Sequence, residues 1–113
     1  MSGADGGLPE IDARTAAEKL AAGAVALDVR EDDEWEAGRI AGALHISMRE
    51  LGHRQDEIPR DRPIVAVCRS GNRSARVTEA LVQAGYDAAN LAGGMKAWKA
   101  AGLPLEPPEG WVA

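Results

Sequence analysis

Phenylalanine is absent, and aromatic residues make up only 4% of the chain. The core must therefore be built from Ala, Val, Leu and Ile, packed closely rather than around stacked rings. A single cysteine, Cys68, excludes an internal disulfide and any cysteine-rich zinc or iron–sulfur site. The two histidines, His45 and His53, are too few to supply a ligand set, so no metal and no cofactor are expected. Long apolar runs are missing as well. The longest, Leu20 to Leu27, has eight residues including a glycine, far short of the ~20 that span a bilayer. Positive charge is in deficit: thirteen Lys and Arg against eighteen Asp and Glu leave a net charge of −5. That balance suits neither nucleic acid nor an anionic membrane surface as a partner. Met1 to Arg14 shows no basic start followed by an apolar stretch, so no secretory signal is expected. A free thiol persists in a reducing compartment, and the expected location is cytoplasmic.

What is present is one domain's worth of chain: 113 residues, 45% hydrophobic and 27% charged, with no internal repeat or low-complexity block. Residues 1–9 are Gly-rich and polar and read as a flexible N-terminal arm, 10–104 as the domain, and 105–113 as a Pro-containing tail. Thr15, with Glu18 three residues on, makes a capping box that opens a helix closed by Gly23. Ala24 to Val29 is a short apolar run that reads as a buried strand. Glu31 to Ala37 is acidic and helix-favouring, ending at Gly38, and acidic residues suit a first turn. Ala43 to Ile46 is a weaker strand, and Met48 to Ile58 supplies one or two helical turns before Pro59. Ile64 to Cys68 (IVAVC) is the most strand-like segment, β-branched and apolar. Ser74 to Ala84 places Val77, Leu81 and Ala84 on one helical face. A strand over Ala88 to Leu91 and a helix over Gly94 to Ala101 complete the domain. Strands alternating with helices predict an α/β fold, with a mainly parallel sheet covered by helices on both faces.

The chemistry is concentrated in Cys68-Arg69-Ser70-Gly71-Asn72-Arg73-Ser74. In open α/β sheets ligands sit beyond the carboxyl ends of the strands, and Cys68 ends the best-defined strand. A lone Cys in that position is ordinarily an inert buried hydrophobe. The loop after it changes the reading, because five polar or Gly residues including Arg69 and Arg73 are not needed to stop a strand. Gly71 and Asn72 both tolerate left-handed backbone and would let the loop curl its N–H groups toward one point. A helix N-terminus and three of the ten arginines, Arg69, Arg73 and Arg76, add positive potential. Such surroundings favour the thiolate, which is the nucleophile, and a small anion as its substrate.

At this loop the sequence resembles the single-domain rhodanese, or thiosulfate sulfurtransferase-like, family. The resemblance runs from Ile11 to Leu103 and rests on Asp28-Val29-Arg30, on Gly38-Arg39-Ile40-Ala41-Gly42-Ala43, on the Cys68-to-Ser74 loop, and on Gly93-Gly94 with Trp98 four residues later. Arg39 and Ala41 stand where the family often has His and Pro; neither touches the active loop. The resemblance implies a mainly parallel five-stranded sheet and a persulfide on Cys68. The sulfur would come from a small anionic donor such as thiosulfate and pass to cyanide, a thiol or a sulfur-accepting protein. It further implies that backbone N–H groups of Arg69 to Ser74 hold the persulfide, with Ser70, Gly71, Asn72 and Ser74 shaping the loop. Arg69 is the expected sulfonate ligand, Arg73 either shares that task or braces the loop, and Asp28 with Arg30 supports the loop from a neighbouring strand. Trp35 and Trp98 read as packing residues, and the place of Trp111 is left open. Two rivals stand beside this reading. A phosphatase or arsenate reductase on the same fold would resemble Cys-x5-Arg, whereas here the Arg comes one residue early. A non-enzymatic binding or sulfur-carrier module is the other rival, although such modules often lack the Cys.

Overall fold

The computed structural model describes residues 8–113. Its elements in chain order are β1 (Glu10–Ile11), α1 (Ala13–Ala21), β2 (Val25–Asp28), α2 (Asp32–Ala37), β3 (Leu44–His45), a 3-10 turn (Met48–Glu50), α3 (Leu51–Arg54), a second 3-10 turn (Gln55–Glu57), β4 (Ile64–Val67), α4 (Asn72–Gln83), β5 (Ala88–Leu91) and α5 (Gly94–Ala100). The five strands form one sheet in the order β1-β5-β4-β2-β3, and every pairing is parallel. The α/β architecture expected from the alternating pattern is the one observed.

Alternation along the central strand builds two cores. Successive side chains of a strand point to opposite faces. Ile64, Ala66 and Cys68 face one side, where they join Leu27, Val29, Ile46, Val77, Leu81 and Tyr86. Val65 and Val67 face the other, with Ala13, Ala16, Ala26, Leu91, Met95 and Trp98. Helix α4 covers the first face; α1 and α5 cover the second. Because β4 is buried on both faces, its sequence is a continuous apolar run rather than an alternating one. Trp98, with its ring N–H donating to the Pro104 carbonyl at 2.7 Å, is the packing residue the sequence suggested, whereas Trp35 is only half-buried and stacks on His45 with ring centroids 4.6 Å apart.

Several boundaries differ from the sequence reading, each for a local reason. Helix α1 starts at Ala13, not Thr15, because Asp12 is the N-cap and its carboxylate accepts the Thr15 N–H at 2.8 Å. The capping box expected there occurs instead at α2, where the Glu34 side chain accepts the Glu31 N–H at 3.0 Å. The expected arm, 1–9, lies outside the described residues apart from Leu8 and Pro9, and the Pro9 carbonyl accepts the Asn90 N–H at 2.8 Å. The tail folds back over the domain. Glu106 pairs antiparallel with Arg39, and the Trp111 N–H donates to the Ala37 carbonyl at 3.0 Å. The Trp111 side chain nevertheless stays 61% exposed. Among the described residues no helix is long and apolar enough to cross a membrane.

Candidate active site

Cys68 is the first residue past the end of β4, and only 1% of it is exposed. The chain then turns sharply. Gly71 caps α4 with φ +100°, a left-handed conformation that glycine adopts without strain. A Cβ at this position would also meet the Gly93 backbone N at 3.2 Å. Asn72 is not part of the turn as expected. It is the first residue of α4, which begins two residues earlier than the apolar periodicity indicated, because Gly71 alone supplies the reversal.

This turn converges donors on one atom. Cys68 Sγ accepts the Gly71 N–H at 3.1 Å, the Ser74 N–H at 3.3 Å and the Ser74 hydroxyl lies 3.2 Å away. The Ser74 N–H is one of the free donors in the first turn of α4, so the helix dipole acts on the same sulfur. Burial pushes the Cys68 thiol up, but the hydrogen bonds from Ser74, Gly71 and Ser70 together outweigh it and hold the thiol below its ordinary value.

The loop is fixed from three sides. Gly94 presses against it so closely that a Cβ there would overlap the Cys68 carbonyl oxygen and lie 2.6 Å from the Arg69 carbonyl oxygen. This approach lets the Met95 N–H reach the Cys68 carbonyl at 2.8 Å and the Lys96 N–H the Arg69 carbonyl at 3.0 Å. On the second side, Arg73 forms a two-pronged pair with Glu34 of α2, both contacts at 2.8 Å. The pair holds the Glu34 carboxyl below the usual carboxylate range against the opposing effect of burial. On the third side, the Arg69 Nε donates to the Ala113 main-chain oxygen at 2.8 Å.

The profile of the rhodanese-like domain matches residues 12–101. The chain belongs to the rhodanese-like domain family. It is 40% identical over 104 residues to a sulfurtransferase of Allochromatium vinosum, covering 89% of this chain and 97% of that one. It is 35% identical over 88 residues to the thiosulfate sulfurtransferase GlpE of Actinobacillus succinogenes, covering 77% and 79% respectively. The crystal structure of a rhodanese-related protein from Thermoplasma volcanium superposes with a TM-score of 0.82 at 34% identity, covering 86% of this chain and 96% of that one.

Within this rhodanese-like domain the residues singled out from sequence fall into three groups. Cys68, Gly71 and Ser74 form the donor cluster itself. Arg69 and Ser70 are exposed on the turn, and Asn72 is exposed at the start of α4. None of the hydrogen bonds made by the Asp28 and Arg30 side chains goes to the 68–74 loop that they were expected to support. They form a buried ion pair at 2.7 Å, and Arg30 also donates to the carbonyls of Gly38 (2.8 Å) and Glu34 (3.1 Å). Five donors in a planar fork let one guanidinium bind a carboxylate and two carbonyls at once. The pair therefore anchors the 34–38 segment, and Glu34 carries that support on to Arg73. His45 is held by an Nε2 contact of 2.8 Å to the Arg30 carbonyl, and His53 is exposed; neither reaches the sulfur. Sequence reasoning missed Glu34, which looked like one member of an acidic first turn, and Asn90, an Asn inside an apolar strand. That second feature was the available signal: a polar side chain in a strand buried on both faces requires a partner.

Proposed function

We propose that this protein is a sulfurtransferase. It takes a sulfane sulfur from thiosulfate or a related small anionic donor and delivers it to a nucleophilic acceptor through a persulfide on Cys68. The Cys68 thiolate attacks the outer sulfur of the donor. A new S–S bond forms on Cys68, the donor's own S–S bond breaks, and its electron pair departs with sulfite. Cyanide, a small thiol or the thiol of an acceptor protein then attacks the terminal sulfur and regenerates the thiolate. The two half-reactions give ping-pong kinetics, and neither needs a metal, a cofactor or a general base once the thiolate is preformed.

One observation carries this reading: the converging donors around Cys68 Sγ, which suit a negative charge on sulfur. Arg69 is the proposed sulfonate ligand. It directly follows the nucleophile, is exposed, and uses only its Nε on the tail among the described residues. Arg73 is the brace, because its guanidinium is committed to Glu34. That commitment also weakens the phosphatase alternative, which requires the loop arginine to enclose the bound anion. The names of the relatives point the same way, and a reducing cytoplasmic compartment suits a reactive thiol. The deciding experiment is intact-mass measurement after incubation with thiosulfate. The protein should gain one sulfur atom, lose it on addition of cyanide, and gain none as Cys68→Ser. Absence of that gain would overturn the proposal.

A further inference from the structure

Ser74 has one hydroxyl hydrogen and two acceptors. Its Oγ lies 3.2 Å from Cys68 Sγ and 2.6 Å from Asn90 Oδ1. A hydroxyl donates once, so both contacts are not donated bonds at the same moment. The orientation of the Asn90 amide follows from its other side. Its Nδ2 faces two oxygens, the Gly71 carbonyl at 3.1 Å and Glu10 Oε2 at 3.0 Å, and an oxygen placed there would meet only lone pairs. Oδ1 therefore faces Ser74, and the shorter contact is donated by the Ser74 hydroxyl. Asn90 is 1% exposed, so no bulk solvent replaces Ser74 as its donor.

We propose that Asn90 is a positioning residue for the nucleophile: it holds the Ser74 hydroxyl hydrogen while Cys68 is a thiol, and competes with the sulfur for that hydrogen when Cys68 is a thiolate. In the thiol state the Cys68 S–H points at the Ser74 oxygen and the Ser74 hydroxyl points at Asn90. When the thiol loses its proton to solvent, the hydroxyl hydrogen turns to the sulfur and Asn90 Oδ1 is left without a donor in a buried site. An unsatisfied buried acceptor is costly, so the competition sets a floor under how far the loop depresses the thiol. The nucleophile is thus tuned by the neighbouring strand β5, and through Glu10 by β1, as well as by its own loop.

The surrounding charges are distinct from this rotor. Arg69 lies on the turn, Arg73 is paired with Glu34 of α2, and Asp28 with Arg30 closes the end of β2. Arg76 of α4 and Lys96 of α5 are exposed, and Glu10 of β1 acts on the amide. None of these groups hydrogen-bonds the Ser74 hydroxyl among the described residues.

The proposal deepens the sulfurtransferase reading by naming what regulates its nucleophile. Its test uses a reaction that needs no sulfur donor, so the two fail separately. The rate of iodoacetamide alkylation of Cys68 is measured against pH in the full chain. The variants are Asn90→Leu, Asn90→Asp, Ser74→Ala and each Asn90 variant combined with Ser74→Ala. Asn90→Leu removes the competing acceptor and should move the alkylation midpoint down by about one pH unit, a figure of the size expected for one hydrogen bond. Asn90→Asp strengthens the competitor at Oδ1 while its second oxygen gives up the bonds donated to Glu10 and the Gly71 carbonyl, and it should move the midpoint up. In the Ser74→Ala background the Leu effect should vanish and the Asp effect should shrink to the direct influence of the added charge. A role limited to holding the fold would instead lower the melting temperature and move the midpoint up, or not at all, in Asn90→Leu. Shifts that are the same with and without Ser74 would overturn the proposal, and either Asn90 variant suffices to measure the coupling if the other does not fold.

Discussion

Gly94→Ala tests how firmly the Cys68 loop is seated. Gly94 has φ +60°, and an added Cβ would strike the carbonyls of Cys68 and Arg69. Both obstacles are backbone, so no side chain can swing aside. The same carbonyls accept the N–H groups of Met95 and Lys96 at 2.8 Å and 3.0 Å, and relief of the clash must stretch both bonds. The left-handed conformation costs about 1 kcal/mol for a residue with a Cβ. Each weakened hydrogen bond adds about 1 kcal/mol. Gly42→Ala is the control: its φ is +78°, but nothing lies within 4 Å of the added Cβ, so only the conformational cost applies. At ~4 °C per kcal/mol for a domain of this size, Gly42→Ala should lower Tm by about 4 °C and Gly94→Ala by about 12 °C. Gly94→Ala should also shift the alkylation midpoint of Cys68 upward, because the Gly71 and Ser74 N–H groups retreat with the loop. Thermal unfolding followed by circular dichroism, with alkylation against pH on the same samples, reads both effects. Equal Tm values for the two variants and an unmoved midpoint in Gly94→Ala would refute the reasoning.

Cys68→Ser should abolish thiosulfate:cyanide turnover while keeping Tm within a few degrees, since a hydroxyl can occupy the same donor cluster; turnover at the wild-type rate would remove Cys68 from the mechanism. Wild-type Cys68 should alkylate with a midpoint below the free-thiol value of about 8.5, and a midpoint at or above it would show that burial prevails over the hydrogen bonds. Arg69→Ala should lower kcat/KM for thiosulfate by roughly tenfold to a hundredfold, the worth of a charge-assisted bond of about 1.5–3 kcal/mol. Transfer from preformed persulfide should be spared, because the sulfonate has already left; equal loss in both half-reactions would count against sulfonate binding. Arg73→Ala should cost about 1 kcal/mol at pH 7, discounted for the partial exposure of the pair. A carboxyl depressed in the folded state contributes stability above its unfolded value and loses it as pH falls through its folded one. The Tm difference between Arg73→Ala and wild type should therefore shrink on acidification below about pH 4, and a difference constant down to pH 3 would assign it to packing instead.

Local chemistry in the sequence determined a good part of this protein. The run Ile64 to Val67 is β-branched, apolar and short, and only a strand buried on both faces satisfies it. The periodic Val77 and Leu81 had to lie on the face of a helix turned to the core. Cys68, followed by a stretch of polar residues around Gly71, marked the end of that strand as the candidate site, because nothing structural required such a loop. Tertiary structure decided what depends on residues distant in the chain. Glu34 and Arg73 are 39 positions apart and meet only because β2 and β4 are neighbours in the sheet. Arg30 was expected to support the Cys68 loop; the acceptors that match its planar fork are the Asp28 carboxylate and two carbonyls of the 34–38 segment, Glu34 and Gly38. Asn90 reaches Ser74 and Gly71 because β5 lies beside β4, and no local pattern of Asn90's own neighbours encodes that. The tail reached Arg69 for the same reason: a pairing between Arg39 and Glu106 closes a loop of some length, and its register is set by the packing of Gly110 and Trp111 on Ala37 and Gly38 rather than by any local propensity. Hydrophobic periodicity is a property of a segment, legible wherever the segment is read. The partner of a buried polar group is a property of the assembled sheet, because only burial makes the pairing obligatory.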